Sequence, residues 1–170
     1  MPRTIHVRSA GVRRGRVAAA ELRRIASRVL DAEGVAPEVE VEVVLADART
    51  VRDLNRLYRG RDEATDVLSF ASADGTPGAE EPAPAPVVFI EPPEAAPSLG
   101  EVIVCLPVAE AQARERDHPL PGEVAHLLVH GLLHLLGHDH EEVRESAAMR
   151  AREDELLGAL GYPGQYNHGH

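Results

Sequence analysis

The stretch that decides the fold is PGEVAHLLVHGLLHLLGHDH, residues 121–140, in which aliphatic residues are interrupted by five histidines. A proline fits the first turn of a helix and a glycine fits its end, so this pattern predicts a helix from Pro121 to Leu136, ended by Gly137. Residues four apart on a helix lie one turn apart on the same side. His130 and His134 are therefore expected to project in the same direction from an apolar helix.

A third histidine completes a predicted metal site at the end of this helix. Gly137 can adopt the left-handed conformation and turn the chain back, which lets His140 approach His130 and His134. Three neutral imidazoles suit Zn²⁺, and an open fourth position is typical of a catalytic site. We expect one zinc ion per chain. The alternative is that these histidines are solvated or hydrogen-bonded in the core, but unbound imidazoles on so apolar a helix cost free energy.

For three neighbouring side chains, the sequence leaves more than one role open. His126 lies one turn before His130 and is expected to pack in the core or support the ligands. His138 lies in the turn and could compete as a ligand, although the spacing favours His140. Asp139 either orients a ligand imidazole or is solvated.

The spacing H-x-x-x-H-x-x-G-x-x-H is that of the metzincin class of zinc proteases, with one large difference. The position of their general-base glutamate is occupied here by Gly131. Peptide hydrolysis by that mechanism therefore lacks its base. Metal-assisted hydrolysis of another bond remains open, because zinc lowers the pKa of a bound water to about 7.

The rest of the chain predicts an α+β fold. Hydrophobic periodicity, caps and turn residues indicate strands over 4–8, 38–45, 67–71 and 102–105, and helices over 16–32, 47–58, 107–117, 121–136 and 141–160. We expect a single domain over residues 1–162, with a small mixed β-sheet packed against about five helices and the zinc site at the end of a central helix. A Pro-, Ala- and acid-rich insertion over residues 72–98 interrupts this domain, and a flexible tail follows at 163–170.

Charge and cysteine content narrow the function classes. The net charge is −10, which argues against a protein that coats polyanions. All 18 basic residues are arginine; residues 1–70 hold 13 of them against 11 acids, and residues 71–170 hold 5 against 17. An anionic substrate is therefore expected to approach the N-terminal half. Because Cys105 is the single cysteine, an internal disulfide framework is excluded. We expect Cys105 to be a small buried residue of a strand.

Targeting and membrane signals are lacking in the sequence. The first 11 residues have no apolar core of the kind a signal peptide needs. The most apolar stretch, residues 124–136, is shorter than the roughly 20 residues that a membrane-spanning helix requires. We expect a cytoplasmic protein.

Three blocks of sequence carry a resemblance to a known family. They are HGLLHLLGHDH at 130–140, LNRLYRGRD at 54–62 followed by TDVLSF at 65–70, and LGEVIV at 99–104. In this order, over about residues 38–162, the chain resembles the bacterial YbeY endoribonucleases, which are rRNA maturation factors. The resemblance implies a single-strand-specific, zinc-dependent endoribonuclease that acts in 16S rRNA 3′-end maturation and late ribosome quality control.

The resemblance also implies roles for particular residues and partners. It makes His130, His134 and His140 the zinc ligands, and it places His130, His134 and Arg59 in the catalytic machinery. The implied partners are single-stranded rRNA and a small-subunit ribosomal protein or a ribosome-assembly GTPase, without membrane or DNA. This chain departs from the family pattern in having His138 in place of Tyr, Ala64 and Ala71 in place of Pro, and a longer segment at 72–98.

Several alternatives remain open on the sequence. Arg59 could be a surface arginine paired with Asp62 or Asp66, whereas a guanidinium beside a metal would stabilise a phosphorane. Asn55 is expected to be a hydrogen bonder on its helix, and Ser69 to pair within its strand rather than line a cleft. The attacking group is either a metal-activated water or the substrate 2′-hydroxyl. Two other functions compete: a zinc hydrolase of another bond, and a ribosome-associated zinc-binding module without catalysis.

Overall fold

The computed structural model describes residues 3–12, 17–72, 97–137 and 143–162. They form, in chain order, β1 (Ile5–Ala10), α1 (Ala19–Ala32), β2 (Glu40–Ala46), α2 (Ala48–Arg59), β3 (Val67–Ala71), β4 (Ser98–Cys105), α3 (Leu106–Arg116), α4 (Leu120–Leu135) and α5 (Val143–Leu160). The predicted order of strands and helices is confirmed.

A four-stranded mixed sheet organises the domain. Its strand order is β1-β2-β4-β3, in which β1, β2 and β4 run parallel and β3 pairs with β4 in the antiparallel sense. This arrangement leaves β3 at one edge. The α+β class, the mixed sheet and the five helices agree with the fold predicted from the sequence.

The sheet separates two hydrophobic clusters of unequal size. The larger one lies between the sheet and helices α1, α4 and α5, and it includes Val41, Val43 and Val102. The smaller one lies under α2 and is built from Val44, Ala46, Val51, Leu68, Ile103 and Cys105. Because alternate strand residues face opposite sides, each strand supplies both clusters.

Helix α4 is the central element of the larger cluster. It contacts α1, α3, α5, β3 and β4, and its residues from Gly122 to Val129 are all buried. In the described part of the chain, no helix combines the length and apolar character needed to cross a membrane.

Several predicted boundaries were wrong. Strand β1 reaches Ala10 rather than Arg8, because every residue of Ile5–Ala10 pairs with β2. Helix α1 begins at Ala19 rather than Arg16, after Ala18 in an extended conformation. Strand β2 was expected to have one solvated face, but its second half is buried on both faces because α2 covers it.

Strand β4 was also predicted too short. It begins at Ser98 rather than Val102, since Gly100 and Glu101 pair with both β2 and β3. The insertion predicted at 72–98 therefore gives up its last residue to the sheet. Its residues 73–96 and the predicted tail at 163–170 lie outside the described residues.

Candidate active site

His130 and His134 meet on the last two turns of α4. Their Nε2 atoms are 3.1 Å apart and their ring centroids 4.6 Å apart. Two imidazole nitrogens on one tetrahedral Zn²⁺, each about 2.0–2.1 Å from the metal, would lie about 3.4 Å from each other. The pair therefore fits two ligand positions of a zinc site without rearrangement of the helix.

The chain turns directly after this pair. Gly137 has a φ of 93°, as predicted for the turn that ends the helix, and its N–H donates to the carbonyl of His134 at 3.1 Å. His138, Asp139 and the predicted third ligand His140 lie outside the described residues. Within the described ranges, no group of three or more metal-ligating side chains is found.

Glu153 of α5 holds one of the two histidines in position. Its Oε1 lies 2.5 Å from Nδ1 of His130, and its other oxygen lies 3.7 Å from Nε2 of His126. The residue is only 2% exposed. Burial alone would raise the pKa of Glu153, but hydrogen bonds from His126 and His130 outweigh it and lower this pKa to about 2. An ionised carboxylate here makes Nδ1 of His130 the protonated nitrogen and leaves the Nε2 lone pair facing His134.

Sequence reasoning missed Glu153, although a signal was present. On α5, Met149, Leu156 and Leu160 form a buried stripe, and Glu153 is a carboxylate in the middle of that stripe. A buried charge requires a partner. His126 is part of the same contact. It is buried, its ring centroid lies 6.5 Å from that of His130, and it faces the second oxygen of the Glu153 carboxylate.

Arg59 lies at the end of α2, against the edge strand. Its Nη2 donates to the carbonyl of Ser69 at 2.9 Å, and its guanidinium carbon lies 5.5 Å from the centroid of the Phe70 ring. The alternative ion pair with Asp62 is not seen, because Arg52 binds both oxygens of Asp62 at 2.8 and 3.0 Å. Asp66 instead lies near Gln112, 3.4 Å from its amide nitrogen.

Ser69 connects Arg59 to the helix that carries the histidines. Its carbonyl accepts from Arg59, and its hydroxyl donates to the carbonyl of Gly131 at 2.9 Å. Gly131 is adjacent to His130 in the chain. The sequence predicts only strand pairing for Ser69, but in the structure its hydroxyl also binds α4.

Gly131 has no room for a side chain. A Cβ built there would lie 2.6 Å from Cγ1 of Val102 and 3.1 Å from Oγ of Ser69. The position at which metzincins carry their glutamate base is therefore pressed against the sheet. A glutamate at this position would collide with β3 and β4.

Asn55 stabilises the connection that follows α2. It is buried, and its Nδ2 donates to the carbonyl of Glu63 at 2.9 Å. Its predicted role as a hydrogen bonder is what the structure shows. Through this contact α2 positions the loop that leads to β3.

The fold and the histidine pair define a class: an α+β domain whose central helix presents paired imidazoles beside the edge of a mixed sheet. The family profile described as "Endoribonuclease YbeY" matches residues 11–161, and the chain belongs to this family.

Similar proteins agree with this assignment. The chain is 45% identical over 141 residues to "Endoribonuclease YbeY" of Pelotomaculum thermopropionicum, covering 82% of this chain and 84% of that protein. It is 44% identical over 140 residues to the protein of the same name from Moorella thermoacetica, covering 82% and 85%. A solution structure of a Thermotoga maritima protein has a TM-score of 0.54 at 23% identity, over 96% of this chain and 97% of that one, and it supports the fold alone.

Proposed function

We propose that this protein is a zinc-dependent endoribonuclease that cleaves single-stranded RNA. The observation that carries the proposal is the pair of imidazoles on α4, with Nε2 atoms 3.1 Å apart and with His130 oriented by a buried carboxylate. The name of the similar proteins, endoribonuclease, supports RNA as the substrate.

His130, His134 and His140 would hold one zinc ion per chain. When bound, the zinc would supply a Lewis acid that stabilises negative charge on a phosphoryl oxygen. The chain's own contribution at this point is orientation: Glu153 accepts a hydrogen bond from Nδ1–H of His130 and so fixes which nitrogen faces the metal position.

Arg59 would bind the phosphate on the other side of the edge strand. Its side chain is exposed, and no carboxylate in the described part of the chain lies within ion-pair distance of it. A guanidinium donates two parallel hydrogen bonds to phosphate oxygens and neutralises charge that develops there. The hydrogen bond to the Ser69 carbonyl holds this group at β3, whose Ser69 hydroxyl in turn contacts α4.

The charge around α2 favours an RNA substrate in a protein that is acidic overall. Residues 47–62 contain five arginines and three aspartates, whereas the whole chain has a net charge of −10. Residues 47–62 are therefore locally positive and attract phosphate, although the chain as a whole repels it. We propose single-stranded rRNA as the substrate, 16S rRNA 3′-end maturation and late ribosome quality control as the role, and the cytoplasm as the location. A small-subunit ribosomal protein or an assembly GTPase would present the RNA.

The close packing around Gly131 argues against peptidase activity of the metzincin kind. A glutamate base has no space at that position, so a protease of the metzincin kind is not available to this fold. A zinc-binding module without catalysis would use the same histidines, and experiment separates it from the enzyme.

The decisive experiment compares the wild-type protein with His134→Ala. Zinc content is measured on purified protein, folding by circular dichroism, and cleavage on a single-stranded fragment that spans the 16S rRNA 3′ end. We expect about one zinc per wild-type chain, and loss of both zinc and cleavage in a folded His134→Ala variant. His6→Ala is the matched control, because His6 is exposed on β1 and pairs only with Glu40 among the described residues.

Each other outcome changes the proposal in a defined way. Zinc in the wild type without cleavage, even with a 30S subunit added, would favour the binding module. Cleavage retained by His134→Ala would overturn the role of the histidine pair. Absence of zinc from the wild type would overturn zinc dependence.

A further inference from the structure

Two aromatic rings and one guanidinium lie together at the edge of the sheet, and we call Tyr58, Phe70 and Arg59 the aromatic cluster. Tyr58 lies in the last turn of α2 and Phe70 in β3, with ring centroids 5.1 Å apart and an interplanar angle of 52°. The guanidinium carbon of Arg59 lies 5.5 Å from the Phe70 centroid. Both rings are partly exposed and Arg59 is exposed.

Core packing accounts for only part of this arrangement: Phe70 packs against the edge of the hydrophobic cluster under α2 and keeps part of its surface exposed. The cluster of side chains under α2 is built from small and aliphatic residues, with Val51 of α2 fully covered. Leu68, on the same face of β3 as Phe70, is buried, whereas Phe70 is not. The chain has only five aromatic residues, three Tyr and two Phe, and two of them meet at this partly exposed place.

The charge of Arg59 is available to a ligand. On the same helix, Arg52 is bound by Asp62 and Arg56 lies 3.6 Å from Asp53. Arg59 instead donates to a neutral carbonyl, and in the described residues no acid lies within ion-pair distance of it. An uncompensated guanidinium held against an aromatic ring offers both a flat surface and a positive charge.

The aromatic cluster is connected through Ser69 of β3 to the helix that carries the histidines. The Ser69 carbonyl binds Arg59, and the Ser69 hydroxyl binds the carbonyl of Gly131, the residue after His130. One strand residue therefore joins the two places. The two places lie on opposite sides of β3, so a ligand that contacts both has to pass over this edge of the sheet.

We propose that the aromatic cluster is a base-binding subsite, in which an unpaired RNA base packs against the exposed parts of Tyr58 and Phe70 beside the guanidinium of Arg59. The proposal rests on the proposed function, because it names the part of the RNA that this site would hold. Aromatic rings and guanidinium planes bind unstacked bases of any sequence. A base inside a duplex has both faces covered by its neighbours, so this subsite accounts for the choice of single strands.

The test removes the ring from the protein and one base from the RNA, first separately and then together. Full-length, zinc-loaded wild type and Phe70→Leu cleave a set of single-stranded oligonucleotides, each carrying an abasic ribose at one position. We expect Phe70→Leu to raise KM for intact RNA about 10-fold with kcat nearly unchanged. At one abasic position the wild type should show the same rise in KM, and Phe70→Leu should show no further rise.

Matched variants separate stacking from folding. Tyr58→Leu should raise KM like Phe70→Leu, whereas Tyr58→Phe keeps the ring and should keep the wild-type KM. Leu57→Ala is the control, because Leu57 is 60% exposed on the same helix and lies outside the aromatic cluster. Thermal melting of every variant shows whether α2 still packs on the sheet.

Failure of the subsite can be told apart from failure of the proposed function. If the wild type cleaves RNA, two results would overturn the subsite alone. One is an unchanged KM in Phe70→Leu; the other is a Phe70→Leu whose KM rises at every abasic position as much as that of the wild type. A wild type that does not cleave would overturn the proposed function. Binding then decides the subsite, since 2-aminopurine in the strand should be quenched by the wild type and not by Phe70→Leu.

Discussion

At the scale of single residues, the contact between Glu153 and the α4 histidines decides how the candidate metal ligands are oriented. Each carboxylate oxygen faces a different imidazole, Nδ1 of His130 at 2.5 Å and Nε2 of His126 at 3.7 Å. In Glu153→Gln, one of these oxygens becomes an amide NH₂, which cannot accept a hydrogen bond from an imidazole N–H. We expect zinc affinity to fall about 10- to 100-fold, measured by competition with a chromophoric chelator.

A second glutamate on α5 provides the control for this prediction. Glu155→Gln makes the same chemical change two residues later, at a side chain that is 70% exposed and paired with Arg152. Its zinc affinity should equal that of the wild type. Nitrogen-15 spectra of the histidine side chains should show His130 protonated at Nδ1 in the wild type. Wild-type zinc affinity in a folded Glu153→Gln would contradict the orienting role.

The difference between the histidines and Glu153 shows what the sequence could predict at this scale. The pairing of His130 and His134 depends only on helix geometry, so it could be predicted from a spacing of four residues. The contact of Glu153 depends on how α5 packs against α4, and no local pattern specifies that packing. Likewise, only the structure shows that Asp62 accepts hydrogen bonds from Arg52, whereas Arg59 donates to the carbonyl of Ser69.

At the scale of elements, the close packing of α4 on the sheet depends on Gly131. Alanine at this position would gain about 1 kcal/mol of helix propensity. Its Cβ, however, would lie 2.6 Å from Cγ1 of the fully buried Val102, and such overpacking costs about 1–3 kcal/mol. We expect Gly131→Ala to lower the free energy of unfolding by about 1 kcal/mol in urea denaturation.

Gly158 on α5 supplies the opposite case. A Cβ at Gly158 meets nothing within 4 Å, so Gly158→Ala should raise the free energy of unfolding by about 1 kcal/mol. The two substitutions change the same atoms in a helix and differ only in what surrounds them. If Gly131→Ala stabilised the protein as much as Gly158→Ala, α4 would not approach the sheet as closely as the structure shows.

Elements with local stop signals were predicted better than elements defined by their neighbours. Helix α2 begins after Asp47, whose Oδ1 accepts from the N–H of Thr50 at 2.9 Å, and it ends at Gly60 with a φ of 70°. Both residues could be recognised in the sequence. Strands β1 and β4 extend as far as their partners do, so their ends follow from pairing between distant segments.

At the scale of the whole molecule, one contact joins the C-terminal end of the described chain to the first helix. The Tyr162 hydroxyl donates to Oε2 of Glu21 at 2.5 Å, and Arg24 binds Glu21 and the carbonyl of Leu160. Hydrogen bonding from Arg24 outweighs burial and lowers the pKa of Glu21 from 4.5 to about 2. Burial and the hydrogen bond to Glu21 raise the pKa of Tyr162 from 10.0 to about 12.

These pKa values predict how stability changes with pH. Because the pKa of Tyr162 is higher in the folded state, its contribution is complete below pH 10.0 and is lost as the pH rises to about 12. The contribution of Glu21 is complete above pH 4.5 and is lost as the pH falls toward 2. Tyr162→Phe should therefore lose less stability than the wild type as the pH rises from 10 to 12, and also less as the pH falls from 4.5 toward 2. The measurement is the urea midpoint as a function of pH.

In the alkaline range of this experiment, few kinds of side chain other than tyrosine change their charge. Since all 18 basic residues are arginine, no lysine titrates between pH 9 and 12, and only tyrosines and Cys105 change charge there. Burial also raises the pKa of the Cys105 thiol, so Cys105 adds to the alkaline loss in both proteins and cancels in their difference. Equal slopes for the wild type and Tyr162→Phe between pH 10 and 12 would mean that the end of α5 is not held against α1 in solution.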